Sequence, residues 1–450
     1  MIAYLILVAM AAAAFAIPLA IGVSGSARLA IAALFISAPL EVYRTEAAIG
    51  NVSVFRLVLA VAVLVALRDR RHDLVRLVRQ PIALAAAGLL VIMTLSLLTM
   101  SENRSLALAA LGQAAVVFVA ALTTAALAQG LPVRSILRLA CLGAALPVLA
   151  AAAQGSFANT GESFGLPLLS HLPVAAGLEV TRADTLYLGQ DGVRLKGTFG
   201  DPNHFAVWLV FMLAASIAIA PSWLGRRRTT SAAGVVWCVG ILTVLLVTYS
   251  RTGWLCATVA AVLALILAGT SATGRELLRT RCRWAMGAAL VCIVAIVPLT
   301  PKVAQRLDND RSANRVSNES HARTTRVAFD EFTAHPLAGI GLSDLGPRLG
   351  QERRTSGAHS SYLTIGSELG LPGLLGAVVL LGLIARALFT SGRAAARDNV
   401  ARLGLFCAYM GFVVANAFYD LFWDDFHWLF VGVAMALAAP RPRVHPVTPA

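Results

Sequence analysis

Charged side chains are scarce in this 450-residue sequence: they make up 13% of it, whereas hydrophobic residues make up 58%. A soluble domain carries roughly 25% charged residues, so the composition excludes an ordinary globular protein of an aqueous compartment. A lipid bilayer accommodates such a chain, because an apolar helix of roughly 20 residues crosses its hydrocarbon core. Several apolar runs of about this length follow one another, which excludes a lone signal peptide as their explanation.

Motifs for nucleotides, metals and hydrolytic serines are also lacking. The sequence contains no P-loop, no GxGxxG after a strand, no HExxH and no GxSxG. Its six cysteines lie in apolar spans or beside a basic connection, so no disulfide or metal-binding framework is predicted. A membrane enzyme without these motifs, facing a compartment without ATP, needs a substrate that is already activated, and a lipid pyrophosphate meets this requirement.

Lysine is nearly absent, and the net charge of +14 comes from arginine. Three short connections between apolar runs concentrate it, at residues 68–79, 226–228 and 275–283. A nucleic-acid-binding protein would instead carry its basic residues on one soluble module. Because cytoplasmic loops of membrane proteins collect Lys and Arg, these connections are predicted to face the cytoplasm.

Alternation from these connections predicts an all-α integral membrane protein with about 12–13 transmembrane helices and two long periplasmic loops. The predicted spans lie near residues 2–23, 27–42, 53–67, 80–100, 105–128, 136–153, 203–221, 232–248, 253–270, 284–299, 372–390, 403–419 and 426–439. Residues 2–42 also allow one span plus a shallow segment, which would give twelve spans and a cytoplasmic N-terminus.

The predicted organisation has five parts. They are N-terminal transmembrane helices (1–153), a first periplasmic loop (154–202), central transmembrane helices (203–299), a large periplasmic loop containing short helices (300–371), and C-terminal transmembrane helices with a short cytoplasmic tail (372–450). Two long polar loops on one face indicate a shared functional site there. Within the large loop a helix is predicted over Ala322 to Ala334.

The first periplasmic loop ends in the sequence RLKGTFGDPNHF, residues 194–205. Asp201 or Asn203 can cap the helix that follows, with Pro202 fixing its entry. Arg194 is a cation on the outer face, where the positive-inside bias disfavours it. It is either an ordinary loop cation near lipid headgroups or part of an anion-binding site.

A second candidate is the turn between two central spans, which reads YSRTGW and contains Arg251. Arg251 either extends to the membrane interface or faces a cleft, where its planar guanidinium could donate two parallel hydrogen bonds to a phosphate. Further arginines of the large loop, including Arg323 and Arg326, would add a positive field that attracts an anionic substrate.

The large loop also contains HPLAGIG at 335–341 and a predicted short interfacial helix that starts near His359. A lone histidine is commonly structural. In a basic outer cleft beside serine hydroxyls, however, His359 could accept a proton from an attacking alcohol, because its ordinary pKa lies near neutrality. Glu368 lies deeper and is expected to have a partner.

These blocks resemble the O-antigen ligase and O-antigen polymerase superfamily of bacterial integral-membrane glycan transferases. The resemblance runs over roughly residues 190–375 and includes the spacing of a His, a small polar residue, nine residues and then Gly-x-x-Gly. Its motif positions are Gly197, Asp201, Pro202, Asn203, Pro336, Gly339, Gly341, Ser360, Gly370 and Gly373. Family members often have Asn where this chain has Asp201, and either residue caps a helix.

The resemblance implies glycosyl transfer without metal or cofactor on the periplasmic face of the bacterial inner membrane. The donor would be a glycan on undecaprenyl pyrophosphate, and the acceptor another glycan, lipid A core or a protein hydroxyl. Arg194 and Arg251 would neutralise the leaving pyrophosphate, with Arg323 or Arg326 as further candidates, and His359 would act on the acceptor hydroxyl. Membrane lipids are the other expected partners, and nucleic acid is not one.

Two other functions are weighed against this one. A transporter or flippase for a lipid-linked or anionic solute would need ionisable residues deep in several spans, and only Arg56 and Glu368 come near that description. A non-catalytic member of the superfamily is disfavoured by the presence of His359.

Overall fold

The computed structural model describes residues 26–40, 44–47, 50–158, 187–189, 192–223, 228–270, 312–350, 358–390 and 396–439. Its helices are α1 (Ala27–Ser37), α2 (Val54–Val78), α3 (Pro81–Thr99), α4 (Arg104–Ala128), α5 (Val133–Ala158), α6 (Pro202–Trp223), α7 (Arg228–Val247), α8 (Arg251–Thr270), α9 (Ser312–Ala334), α10 (Leu345–Arg348), α11 (Ser361–Phe389), α12 (Ala396–Ala415) and α13 (Asp425–Ala438). Two short antiparallel ribbons pair β1 (Arg44–Ala47) with β2 (Gly50–Ser53) and β3 (Tyr187–Gly189) with β4 (Gly192–Arg194).

Five helices of the described residues are long and apolar enough to cross a membrane: α3, α4, α5, α6 and α11. Shorter apolar helices occur at α1, α7, α8, α12 and α13. The predicted class, an all-α integral membrane protein, is therefore confirmed. The predicted spans near 2–23 and 284–299 lie outside the described residues, so the number of spans and the five-part organisation stay predictions.

Aromatic residues of α6 and α13 form the middle of the main core. Phe211 stacks on Phe430 with ring centroids 4.6 Å apart, and Phe199 contacts Phe205 at 5.4 Å. Gly197 precedes them with a φ of 59°, and a β-carbon there would press on the Phe205 ring. The packing fixes the N-terminal end of α6, which starts at Pro202.

Helix α11 is broken near its N-terminal end, and the break lies at Gly370. The predicted short interfacial helix and the span after it are one kinked helix, because Gly370 adopts φ 65° and ψ −166° and Pro372 follows it. The freed backbone groups pair with the loop after α9. The N–H of Leu371 donates to Pro336 O at 2.7 Å, and the N–H of Ile340 donates to Ser367 O at 2.8 Å.

The HPLAGIG loop therefore seals the break in α11. Gly339 has a φ of 70° and lies so close to the Glu368 carbonyl that any β-carbon would overlap it. The N–H of Gly341 donates to the same carbonyl at 3.1 Å. Gly373 is buried beside Leu369, just beyond the break. Two sequence blocks that looked separate thus form one structural unit.

Helix α9 is longer than the sequence predicts, since it starts at Ser312 and not at Ala322. Residues 312–321 are almost entirely polar, so they show none of the apolar periodicity by which a helix is detected. The buried side of α9 contributes Ala328 to a small core with Ala358 and Ile340. This core attaches α9 to the start of α11.

The large loop is also fastened to the connection between α3 and α4. The carboxylate of Asp344 accepts hydrogen bonds from the N–H groups of Glu102 at 2.8 Å and Asn103 at 3.0 Å. Arg348 forms an ion pair with Glu331 at 2.8 Å. The large loop therefore lies at the end of α3 opposite the basic connection at 68–79.

Candidate active site

His359 lies between α9 and the start of α11 in a left-handed backbone conformation with φ 54°. Its ring stacks on that of His321 with centroids 4.0 Å apart and lies 5.7 Å from the ring of Tyr419. The next residue, Ser360, caps α11 by accepting a hydrogen bond from the N–H of Leu363 at 3.4 Å. The cap fixes the direction from which His359 enters the helix.

Neighbouring contacts hold the backbone of His359 in place. The N–H of Ala358 donates to the Thr364 hydroxyl at 3.0 Å, and the Thr325 hydroxyl of α9 donates to the Ala358 carbonyl at 3.4 Å. A non-glycine residue in this conformation costs about 1–3 kcal/mol, and such strain is concentrated at functional sites. The contacts on both sides supply the support that this conformation requires.

Burial lowers the pKa of His359 from its ordinary value of 6.5, and the negative charge of Asp201 acts in the opposite direction. The imidazole is therefore neutral near pH 7. A neutral imidazole within reach of a hydroxyl is able to act as a general base.

Asp201 connects the start of α6 to this cluster. Its Oδ1 accepts a hydrogen bond from the N–H of Asn203 at 2.6 Å, which caps α6. Its Oδ2 accepts one from the Tyr419 hydroxyl at 2.9 Å. Tyr419 thus lies between Asp201 and His359 and links them, although it is 218 residues from Asp201 in sequence.

Asn203 joins the first and second sequence blocks. Its Oδ1 accepts hydrogen bonds from Arg194 Nη2 at 3.1 Å and from the Ser250 hydroxyl at 2.7 Å. The Nε of Arg194 donates to the Thr248 carbonyl at 3.0 Å, and only 8% of Arg194 is exposed. Arg194 is therefore a buried cation that fixes the turn before α8.

Arg251 is the first residue of α8 and is half-buried. Its Nη2 donates to Asn318 Oδ1 on α9 at 2.7 Å. Asn318 and His321 are three residues apart, so they share one face of that helix. Arg251 and His359 consequently approach the same face of α9.

Arg323 and Arg326 are exposed on α9. At 100° per residue they lie about 200° and 140° around the helix axis from His321, so they point away from the His359 cluster. The structure brings Arg194 and Arg251 together with the elements around His359, and it leaves this second pair on the outer surface.

A further contact between a histidine and an aspartate beside the cluster is absent from the sequence-based candidates. His204 Nδ1 lies 2.9 Å from Asp424 Oδ2, and the His204 ring meets Tyr419 edge to face at 5.4 Å. His204 directly follows Asn203 in the first block, and Asp424 belongs to the acidic run before α13. These positions in the sequence mark both residues as candidates, but only the fold shows that they contact each other.

Within the described residues, no group of three or more His, Cys, Asp or Glu side chains has a metal-binding arrangement. The side chains that meet here can neutralise an anion and take up a proton. Both abilities lie at one end of the helix bundle.

A family model described as O-antigen ligase matches residues 234–378 of the chain. This range contains Arg251, His321 and His359, together with the loop that seals the break in α11. Arg194 and Tyr419 lie outside it. No curated protein matches the sequence.

Proposed function

Because residues 234–378 match a family model described as O-antigen ligase, we propose that this chain is a member of the O-antigen ligase and polymerase superfamily and that it transfers a glycan from undecaprenyl pyrophosphate to an acceptor hydroxyl at the periplasmic face of the inner membrane. The observation that carries the proposal is the position of His359. Burial favours the neutral form of the His359 imidazole. His359 contacts His321 and Arg251 contacts Asn318, and these two residues lie on the same face of α9.

In the proposed reaction, the acceptor hydroxyl attacks the anomeric carbon of the donor glycan. The imidazole of His359 takes the hydroxyl proton as the new glycosidic bond forms. The bond between the anomeric carbon and the pyrophosphate oxygen breaks, and its electron pair leaves with the pyrophosphate. Stabilising the charge that develops on a leaving group is commonly the largest catalytic contribution.

Arg251 is the candidate for direct contact with the pyrophosphate. It is half-buried at the start of α8, and its fork of donors matches phosphate oxygens. Arg194 is almost fully buried, so its part is to hold Asn203 and the turn before α8 and to add positive potential. Arg323 and Arg326, on the outer side of α9, would attract the anionic donor from a distance.

The orientation follows from the two ends of α3. One end adjoins the basic connection at 68–79, and the other leads to Glu102 and Asn103, which bind Asp344 of the large loop. A helix of 19 residues is about 29 Å long, close to the thickness of the hydrocarbon core. If the basic connection faces the cytoplasm, the His359 cluster faces the periplasm.

The decisive experiment reconstitutes the purified chain with a lipid-linked oligosaccharide and no other acceptor, then follows chain growth and release of undecaprenyl pyrophosphate. His359→Ala should reduce transfer by at least about 100-fold, as loss of a general base does. The matched control is His335→Ala, because His335 is an exposed histidine of the neighbouring motif.

Retained transfer by His359→Ala would refute its catalytic role, and an equal loss in His335→Ala would point to a folding defect instead. Growth of the lipid-linked glycan chain without another acceptor indicates a polymerase. Transfer of the glycan only after lipid A core is added indicates a ligase. A chelator arm completes the design: we expect no change in rate, and a strict requirement for a divalent ion would contradict metal-independent transfer.

A further inference from the structure

A cavity of about 650 Å³ opens at the end of the bundle opposite His359. The last turns of α2, α11 and α13, the first turn of α3 and the residue after α4 surround it. Its volume falls within the roughly 300–1,000 Å³ of small-molecule sites. The candidate active site does not use any of its residues.

Basic side chains dominate the polar part of the cavity lining. Arg76, Arg79 and Arg386 line it together with one acid, Asp73. The Asp73 carboxylate is already paired with Arg76 and with Arg70. Within the described ranges, Arg79 and Arg386 have no acidic partner. The cavity therefore has a surplus of positive charge, from Arg79 directly after α2 and from Arg386 in the last turn of α11.

Two buried amide groups complete the polar lining. Gln80 Oε1 and Gln129 Nε2 are buried, and neither has a hydrogen-bond partner among the residues that the structure describes. Buried polar atoms are nearly always hydrogen-bonded. A ligand that fits must therefore supply an acceptor for the Gln129 amide and a donor for the Gln80 carbonyl.

The remaining lining is apolar and continues onto the lipid-facing surface. Leu77, Ile82 and Leu383 line the cavity. Val78, which follows Leu77, is 47% exposed, and Leu84, two residues after Ile82, is 57% exposed. An amphiphile can accordingly place a polar headgroup in the cavity and its acyl chains along α2 and α3.

We propose that this cavity binds the headgroup of an anionic glycerophospholipid of the phosphatidylglycerol type. Arg79 and Arg386 neutralise the phosphodiester, and Gln129 donates to one of its oxygens. Gln80 accepts from a headgroup hydroxyl, which a choline headgroup lacks. Basic pockets between transmembrane helices on the cytoplasmic side bind anionic lipid headgroups in other membrane proteins. Only the assignment of this end to the cytoplasm rests on the proposed function.

The test measures lipid binding to the purified full-length chain in mild detergent, by native mass spectrometry and by thermal stability. Phosphatidylglycerol should remain bound and raise the melting temperature by a few degrees, as a ligand of the folded state does. Phosphatidylcholine and millimolar inorganic phosphate should have little effect. Equal binding of both lipids, or displacement of the lipid by inorganic phosphate, would overturn the proposal.

Variants locate the site. Arg79→Gln/Arg386→Gln should weaken binding of phosphatidylglycerol by about tenfold, the effect of losing about 1.4 kcal/mol. The control Arg71→Gln/Arg138→Gln removes the same charge from two exposed arginines outside the cavity. An equal loss in the control would mean that general surface charge is responsible. Glycan transfer is not measured, so failure here would leave the proposed function intact, and the lipid comparison uses the unmodified chain.

Discussion

At the scale of single residues, the structure explains why His359 is suited to take a proton. Burial holds its pKa below 6.5, while Asp201 opposes this effect. The protonated imidazole cannot accept another proton, so the transfer rate should rise with pH through the pKa of His359. The pH at which the transfer rate falls to half of its plateau is therefore expected to lie below 6.5, the ordinary pKa of histidine.

The variant Asp201→Asn tests whether the charge of Asp201 sets the position of this acid limb of the rate profile. It removes the charge that raises the pKa of His359, so the acid limb should move to lower pH. Asparagine caps a helix as well as aspartate does, and the plateau rate at neutral pH should change less than about twofold. Rates measured from pH 5 to 8 check this, with Asp330→Asn on the exposed side of α9 as the control. An acid limb that stays at the same pH would show that the charge of Asp201 does not influence the pKa of His359.

Arg251→Ala tests the pyrophosphate contact. The loss of a charge-assisted hydrogen bond costs about 1.5–3 kcal/mol, so kcat/KM for the donor should fall about 10- to 100-fold. Arg326→Ala, on the outer side of α9, should cost much less. Asn318→Ala removes the amide oxygen of α9 to which Arg251 Nη2 donates. If it reproduces the full defect, Arg251 acts by positioning α9 and not by binding the donor.

The sequence allows individual site residues to be proposed, but it does not show which distant residues contact them. The types and spacing of Arg194, Arg251 and His359 are sufficient to propose them as site residues. Tyr419 and Asp424 lie more than 200 residues from the side chains that they bind, and no local pattern indicates that approach. The placement of Arg323 and Arg326 likewise depends on which face of α9 meets α11.

At the scale of elements, Gly370 is the point at which two motifs depend on each other. Gly370→Ala would place a β-carbon against the Leu337 carbonyl at 2.6 Å, in a backbone conformation that favours glycine. We expect a loss of about 1–3 kcal/mol, seen as a melting temperature several degrees lower in detergent. Gly382→Ala in the same helix has open space around it, so it should be neutral or slightly stabilising. Equal stability of the two variants would contradict the role given to the break.

Long apolar elements can be predicted from composition, and short or polar ones cannot. The runs that became α3 and α4 are recognisable because their apolar residues continue for a full membrane thickness. The ribbons β1–β2 and β3–β4 have only three or four residues per strand, too few for an alternating pattern. The sequence does not predict that α11 is one continuous, kinked helix, because Gly370 and Pro372 are residues typical of a helix end.

At the scale of the whole molecule, the bundle separates two chemically different ends. The His359 cluster lies beside the N-terminal end of α11, and the arginine-lined cavity lies beside its C-terminal end, some 25 residues later. For a helix this separation is on the order of 30 Å. Composition predicts that the two ends are separated by a membrane, whereas the convergence of residues within each end depends on packing.

The sidedness of these ends is itself testable with single cysteines. Leu337 is 75% exposed in the HPLAGIG loop, and Arg71 is exposed in the basic connection. With the native cysteines replaced, Leu337→Cys should react with a membrane-impermeant maleimide in spheroplasts. Arg71→Cys should react only after the cells are opened, because the positive-inside bias places its connection in the cytoplasm. The opposite pattern would put His359 on the cytoplasmic face, where a periplasmic acceptor could not reach it.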